Sequence, residues 1–323
     1  MSARTAIKGI GKYAKALNKL SEEKGISRLY LYPDCLWSWV RHGCVLNHYT
    51  EGKFYQRKEF ERTGILTYRR WKKLLTYNNR EYGHILGNKL DFCSHFKEFI
   101  GREYLSSANM TYDDFTSFLQ RYRKVFVKPV DGLEGRGIHT IQWANGQQNR
   151  QHYEALRKGN YIIEEPVVQH SDMVFGNQSV NTVRVYTIYD KRLKRGLCIA
   201  TTLRAGVGEA IVDNSHSGGL SYEIDMETGR IDSKAWGHQN GGGIFHPYTH
   251  ICMLGREIPY WEKVLELCQQ AAAIIPEIAF IGWDVAITPS GPILIEGNHD
   301  PDLDIMEFVG NYGYYHTIMT HLK

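Results

Sequence analysis

Towards the C-terminal end of the chain, Ala279-Phe-Ile-Gly-Trp-Asp284-Val-Ala-Ile-Thr288 runs through Pro289-Ser290-Gly291 into Pro292-Ile-Leu-Ile-Glu296-Gly297-Asn298. Both flanks are rich in β-branched and aromatic residues, and Pro-Ser-Gly is turn chemistry, so the segment predicts a β-hairpin. With its centre at Ser290, Asp284 faces Glu296. Glu296 and Asn298, two apart on one strand, then point to one side. Three oxygen-bearing side chains would converge at the end of apolar strands, where uncompensated carboxylates are costly and a bound cation relieves the cost. A hairpin end that carries charge because it meets solvent is an equal reading of this motif alone.

The rest of the chain narrows the choice. Its 323 residues can form one large domain or two to three small ones. A hydrophobic share of 42%, a charged share of 23% and a net charge of +4 describe an ordinary globular protein. The mild positive balance does not mark a nucleic-acid binder, though it welcomes an anionic substrate. Apolar runs fall short of a membrane span and no signal-peptide core opens the chain. The cysteines Cys35, Cys44, Cys93, Cys198, Cys252 and Cys268 form no C-x-x-C pair. Together these features predict a cytoplasmic α+β protein without a zinc site or disulfide framework.

Residues 5–24 read as an amphipathic helix with a lysine-rich face. Docking on the body is the simpler reading, and weak peripheral membrane or partner binding the sharper one. Residues 29–105 are rich in aromatics, among them Trp37, Trp39, Tyr55, Phe60, Tyr68, Trp71 and Tyr77. Their spacing in helical-looking stretches predicts core packing rather than base stacking. From Thr111, a Thr cap with acids in the first turn opens a helix to about Arg123. Strands are expected at 124–129, 137–143, 161–164, 182–189 and 197–203, with helices around 150–158 and 260–275. Three regions are expected: 1–107, helical and aromatic-rich; 108–165, a small α+β lid; and 166–323, carrying the hairpin.

Between the strands at 124–129 and 137–143 lies Asp131-Gly132-Leu-Glu-Gly135-Arg136-Gly137. Its small residues and backbone N–H groups can cradle phosphate. It joins two strands, unlike a Walker A or Rossmann loop, which leads into a helix. A flap over a nucleotide and a plain glycine turn both fit. Lys128, just before it, can reach under the loop as a point charge against phosphate. Glu164-Glu165-Pro166-Val167 ends an apolar strand and can offer backbone groups to an adenine edge, with Pro166 stopping further pairing. Asp172 could accept hydrogen bonds from ribose hydroxyls.

In this order, lysine, glycine loop, acidic hinge and Asp…Glu-Gly-Asn resemble the ATP-grasp superfamily. The resemblance implies an α+β ATP-grasp fold, two subdomains clamping ATP, beside a largely helical N-terminal region. Lys128 and Lys89 match its phosphate-contacting lysines, although Asn88 stands where many members carry an acid. Gly132, Gly135, Arg136 and Gly137 match its flap, and Glu164, Glu165 and Val167 its adenine hinge. Asp284, Glu296 and Asn298 match its metal triad, which implies two Mg²⁺ ions, with Mn²⁺ as a substitute. Asn181-Thr-Val-Arg184 and Asp213-Asn214-Ser-His216-Ser-Gly218-Gly219 resemble glutathione-synthetase-like members. Asp34-Cys-Leu-Trp, Arg41-His-Gly43 and Glu-Gly-Asn before Asp300–Asp304 resemble the sugar-transfer-associated group, proposed to act in cell-surface polysaccharide synthesis.

The activity implied is an ADP-forming carboxylate–amine ligase working through an acyl phosphate, with small-molecule substrates of which one is a sugar or sugar nucleotide. Arg184 and Arg204 would hold the carboxylate, and Asn214 and His216 would sit in a loop over the intermediate. A structural salt bridge is an equal reading of either arginine, and loop ordering is the simpler role for His216. Two alternatives share these residues: a kinase acting on a sugar, polyol or lipid-linked hydroxyl, and a non-catalytic nucleotide-binding subunit of a glycan-assembly complex.

Overall fold

The computed structural model describes residues 3–132, 136–176, 179–207, 219–237, 242–302, 306–307, 309 and 313–322, with backbone alone for 3–10. The chain divides into two compact units, Met1–Tyr77 with Asp302–Lys323, and Asn78–Pro301.

The first unit is helical. Helix α1 (Ala3–Lys24) packs against α2 (Arg28–His42), followed by α3 (Leu46–Thr50), α4 (Glu59–Gly64) and α5 (Tyr68–Leu74). Leu17 and Leu20 of α1 are buried with Leu31 and Cys35 of α2 and with Tyr49, Phe54 and Tyr55, so the described part of α1 is a docked helix. Asp34 turns inward, where Arg62 binds both its oxygens at 2.7 and 2.9 Å and the Tyr49 hydroxyl donates at 2.7 Å. Gly43 closes α2 in the left-handed region at φ 69°, where glycine carries no side-chain penalty. The aromatic residues depart from expectation here. Tyr55 is buried, but Trp37, Trp39, Phe60 and Tyr68 are exposed. Helical spacing reports that residues share a face, not that the face turns inward.

The second unit holds two antiparallel sheets. Helices α6 (Gly83–Gly87) and α7 (Lys89–His95) precede strand β1 (Tyr104–Ser106). Helix α8 (Tyr112–Tyr122) starts from the expected cap: the Thr111 hydroxyl accepts from the Asp114 N–H, and the Asp114 carboxylate accepts in return from the Thr111 N–H. Then come β2 (Lys124–Pro129), β3 (His139–Gln142), α9 (Gly146–Leu156) and β4 (Tyr161–Glu164). Helix α9 opens four residues before the expected start because Asn145 accepts the Gln148 N–H at 3.0 Å. The small sheet has the order β1-β4-β2-β3, so the glycine loop does join two neighbouring antiparallel strands.

The larger sheet runs β7-β6-β5-β8-β9, from β5 (Thr182–Asp190), β6 (Arg195–Ala205), β7 (Leu220–Glu223), β8 (Phe280–Thr288) and β9 (Gly291–Asn298). Val183, Val185, Leu203, Trp283 and Val285 share the main core with α10 (Trp261–Ile274). The alternate residues of these strands, Thr182, Arg184, Thr202, Arg204 and Asp284, therefore take the opposite face. The last helix, α11 (Tyr315–Leu322), belongs to the first unit.

Candidate nucleotide and metal site

Asp284 faces Glu296, and Gly282 faces Asn298. The route to this register differs from the simplest expectation. Thr288 pairs with Gly291 across a two-residue turn, a register that would set Ile295 opposite Asp284. An irregularity between Asp284 and Val285 shifts it by one residue, so the acids meet. Ile295, the extra residue, lines the same cleft as Glu296.

Arg184 lies beside Asp284 on β5, and its Nε and Nη2 meet the two Asp284 oxygens at 2.5 and 3.0 Å. Arg204 on β6 adds a third bond, Nη1 to Oδ2, at 2.7 Å. Gly282 leaves room for this arrangement: a Cβ there would stand 3.2 Å from Arg184 Nη1 and 2.7 Å from Pro301. Burial opposes ionisation of Asp284, but Arg184 first and Arg204 second hold it well below the usual carboxylate range. Glu296 moves the other way, raised by desolvation and by the Asp284 carboxyl opposite. Its side chain is solvent-exposed in the cleft although protein surrounds it elsewhere, so the neighbouring charge is the more durable cause.

This donor set fits a divalent cation. Asp284 Oδ2 accepts from both arginines and Oδ1 from Arg184, and a cation between Asp284 and Glu296 would relieve the repulsion that raises Glu296. Asn298 completes an all-oxygen set suited to Mg²⁺.

The cleft above these residues has a volume of about 480 Å³. Phe126, Lys128 and Glu164 share one face of the small sheet, since Phe126 pairs with Glu164 and Lys128 with Ile162. Lys128 forms an ion pair with Glu164. The other Glu164 oxygen accepts from Arg102 Nε at 2.9 Å, and Arg102 also donates to the carbonyls of Leu294 at 2.6 Å and Ile295 at 3.2 Å. Burial would raise the Glu164 carboxyl, but Arg102 and then Lys128 hold it down at about 2. Lys89, the first residue of α7, donates to the Gly132 carbonyl at 2.6 Å, and Asn88 caps that helix by accepting from Leu90 and Asp91. Burial and the neighbouring Lys128 lower the proton affinity of Lys89, while Glu296 opposes them.

Of the residues singled out in the sequence, Lys89, Lys128, Gly132, Arg136, Glu164, Glu165, Val167, Arg204, Asp284, Glu296 and Asn298 line this cleft. Arg184 stands behind it, locked on Asp284. Gly137 adopts φ 76° beside Pro129, which a Cβ would approach to 2.9 Å. Asp172 does not line the cleft; it is exposed beside His170, and its carbonyl accepts from Arg256 at 3.0 Å. Gly135, Asn214, His216 and Gly218 lie outside the described residues. Sequence reading missed Arg102. Only its position in Gly-Arg-Glu before a short strand marked it, and its partners lie 62 and 192 positions away.

A family model described as sugar-transfer associated ATP-grasp matches residues 69–321. No curated protein matches the sequence. Among solved structures, the chain is similar to the ATP-grasp ligase PsnB complexed with a phosphomimetic variant of its minimal precursor, Mg and ADP. That match has 14% identity and a TM-score of 0.45, and covers 76% of this chain and 61% of PsnB, so the chain spans about three fifths of PsnB's length. The D-cycloserine synthetase DcsG matches with 13% identity and a TM-score of 0.45, over 79% of this chain and 80% of its own. The D-alanine–D-alanine ligase of Bacillus anthracis, complexed with ATP, matches with 10% identity and a TM-score of 0.45, over 76% and 67%. Among the described residues, no helix is long and apolar enough to cross a membrane.

Proposed function

The chain belongs to the sugar-transfer-associated ATP-grasp family, and from that premise we propose that it is an ATP- and Mg²⁺-dependent carboxylate–amine ligase acting in cell-surface polysaccharide or sugar modification. One observation carries the proposal: a single cleft gathers two lysines, Lys89 and Lys128, with the facing carboxyls of Asp284 and Glu296. Cations alone would serve any anion, and carboxyls alone any metal. Together they match a polyphosphate with its counter-ion.

In this reading Lys89 and Lys128 hold phosphate oxygens, and Glu164, anchored by Arg102, keeps the Lys128 ammonium on station. The hinge from Glu164 to Val167 receives the adenine, while Gly132, Gly135, Arg136 and Gly137 close over the phosphates. The lid formed by 108–165 would exclude water. Asp284, Glu296 and Asn298 would hold Mg²⁺, two ions with Mn²⁺ as a substitute, which neutralises charge on the phosphates during transfer. Arg204, which lines the cleft, would bind a substrate carboxylate, and Arg184, bonded to Asp284, would hold that carboxyl in position.

A carboxylate oxygen attacks the γ-phosphorus, the bond to the bridging oxygen breaks, and ADP leaves. The amine nitrogen then attacks the acyl carbonyl, phosphate departs and the nitrogen loses a proton. Asn214 and His216 are the proposed groups at that second step. The experiment is an ADP-release screen over amino acids and uronic-acid sugars, repeated with an ¹⁸O-labelled carboxylate. Label appearing in inorganic phosphate supports the acyl phosphate. A phosphorylated product with no amine requirement would identify a kinase instead, and tight ATP binding without turnover a non-catalytic subunit.

A further inference from the structure

Helix α2 is built inside out. Its inward face carries Leu31, Cys35, Ser38 and His42, two of them polar, and all are buried. Its outward face repeats apolar residues at three- and four-residue spacing through Leu29, Pro33, Leu36 and Val40, flanked by Trp37 and Trp39. Leu29 is 90% exposed, Leu36 61%, Trp37 55% and Val40 52%. A soluble surface rarely leaves such a stripe contiguous and uncovered unless something docks there. The stripe lies outside the residues that match the family, 69–321.

Charge indicates what covers it. The only carboxylate in α2, Asp34, is turned inward onto Arg62, so the outward face carries none. Arg41 ends the stripe, and α5 carries the exposed Arg69, Lys72 and Lys73. Arg69 belongs to that end directly, donating to the carbonyls of Val40 at 3.0 Å and Trp39 at 2.7 Å. One acid, Glu59, stands near that end, 3.0 Å from His42, whose burial lowers its proton affinity. Leucine, valine and two tryptophans on an exposed helix face, with arginines at one end, are the composition of a helix lying in a lipid–water interface. We propose that α2 docks the protein on the surface of an anionic phospholipid bilayer, its stripe entering the headgroup region and the basic end meeting lipid phosphates.

The test is co-sedimentation of the full chain with vesicles of phosphatidylcholine alone and of equimolar phosphatidylcholine and phosphatidylglycerol. Binding to the anionic vesicles about tenfold tighter than to the neutral ones, weakened by salt, is expected. Leu36→Glu with Val40→Glu should lower that affinity by about tenfold or more, with circular dichroism and thermal melting unchanged because both side chains are exposed. Arg41→Glu with Lys72→Glu should lower binding to the anionic vesicles alone, and Leu254→Glu, an exposed leucine of the other unit, should change nothing. Failure of the wild-type chain to sediment with anionic vesicles overturns the proposal, as does undiminished binding by the Leu36/Val40 double variant. Self-association in sedimentation velocity, abolished by that double variant without any vesicle binding, would make the stripe a contact between copies. None of these readouts depends on ATP turnover.

Discussion

Glu164 sits between two cations, and replacing it with glutamine removes the charge while keeping the shape. Burial alone would raise its proton affinity, yet Arg102 and Lys128 hold the carboxyl at about 2 against an ordinary 4.5. That difference is worth about 3 kcal/mol of charge-dependent stability. A depressed carboxyl contributes fully above its unfolded value and loses the contribution as pH falls towards its folded one. The advantage over Glu164→Gln should therefore be complete at neutral pH and fall below half near pH ~3. The variant also strands Arg102 among buried carbonyls, so a loss of about 3 to 5 kcal/mol at neutral pH is expected. Urea unfolding followed by tryptophan fluorescence, with both proteins measured from pH 7 downward, gives the difference directly. A gap that stays constant over that range would refute the electrostatic account and leave only a packing defect.

Three further outcomes can be measured. Lys128→Ala should reduce ATP-dependent ADP release by about a hundredfold, the scale of losing one preorganised charge contact; near-normal turnover would remove the lysine from the site. Mg²⁺ affinity by calorimetry should fall as pH drops from above the usual carboxylate range, because Glu296 binds a proton more readily than an ordinary glutamate; Glu296→Gln should weaken binding and flatten that profile. Glu307, buried in the first unit, accepts the Leu66 N–H at 2.7 Å, and burial pushes its carboxyl up to about 8 despite that bond. Stability from this group is present at low pH and lost as pH rises through its folded value, so thermal melting should decline towards pH 8 and Glu307→Gln should abolish that decline.

The hairpin was legible because Pro289-Ser290 and the apolar flanks state both turn and strands, and Thr111-x-x-Asp114 states a helix start just as locally. The irregularity beside Asp284 was not legible, since Ile295 sits in an unbroken apolar run and only pairing reveals it as extra. The Lys128–Glu164–Arg102 network joins residues far apart in the chain, and local pattern says nothing of which partner a buried charge will find. The outward face of α2 was misread for a similar reason. Trp37 and Trp39 fall in a helical stretch whose aromatics were expected to pack, and what turns them out is that Leu31, Cys35 and Ser38 occupy the inner face.

The irregularity in β9 has a consequence for how this site could change over generations. Removing one residue from a strand ordinarily turns every later side chain to the wrong side. Here the strands already hold one residue more than the turn's pairing requires, so loss of Ile295 would leave Glu296 next in line opposite Asp284. The acids would keep their partnership, while an apolar patch of cleft wall and the Ile295 carbonyl that accepts from Arg102 would be lost. Lineages could therefore vary substrate shape at that wall by a single-codon deletion while inheriting the acidic pair unaltered.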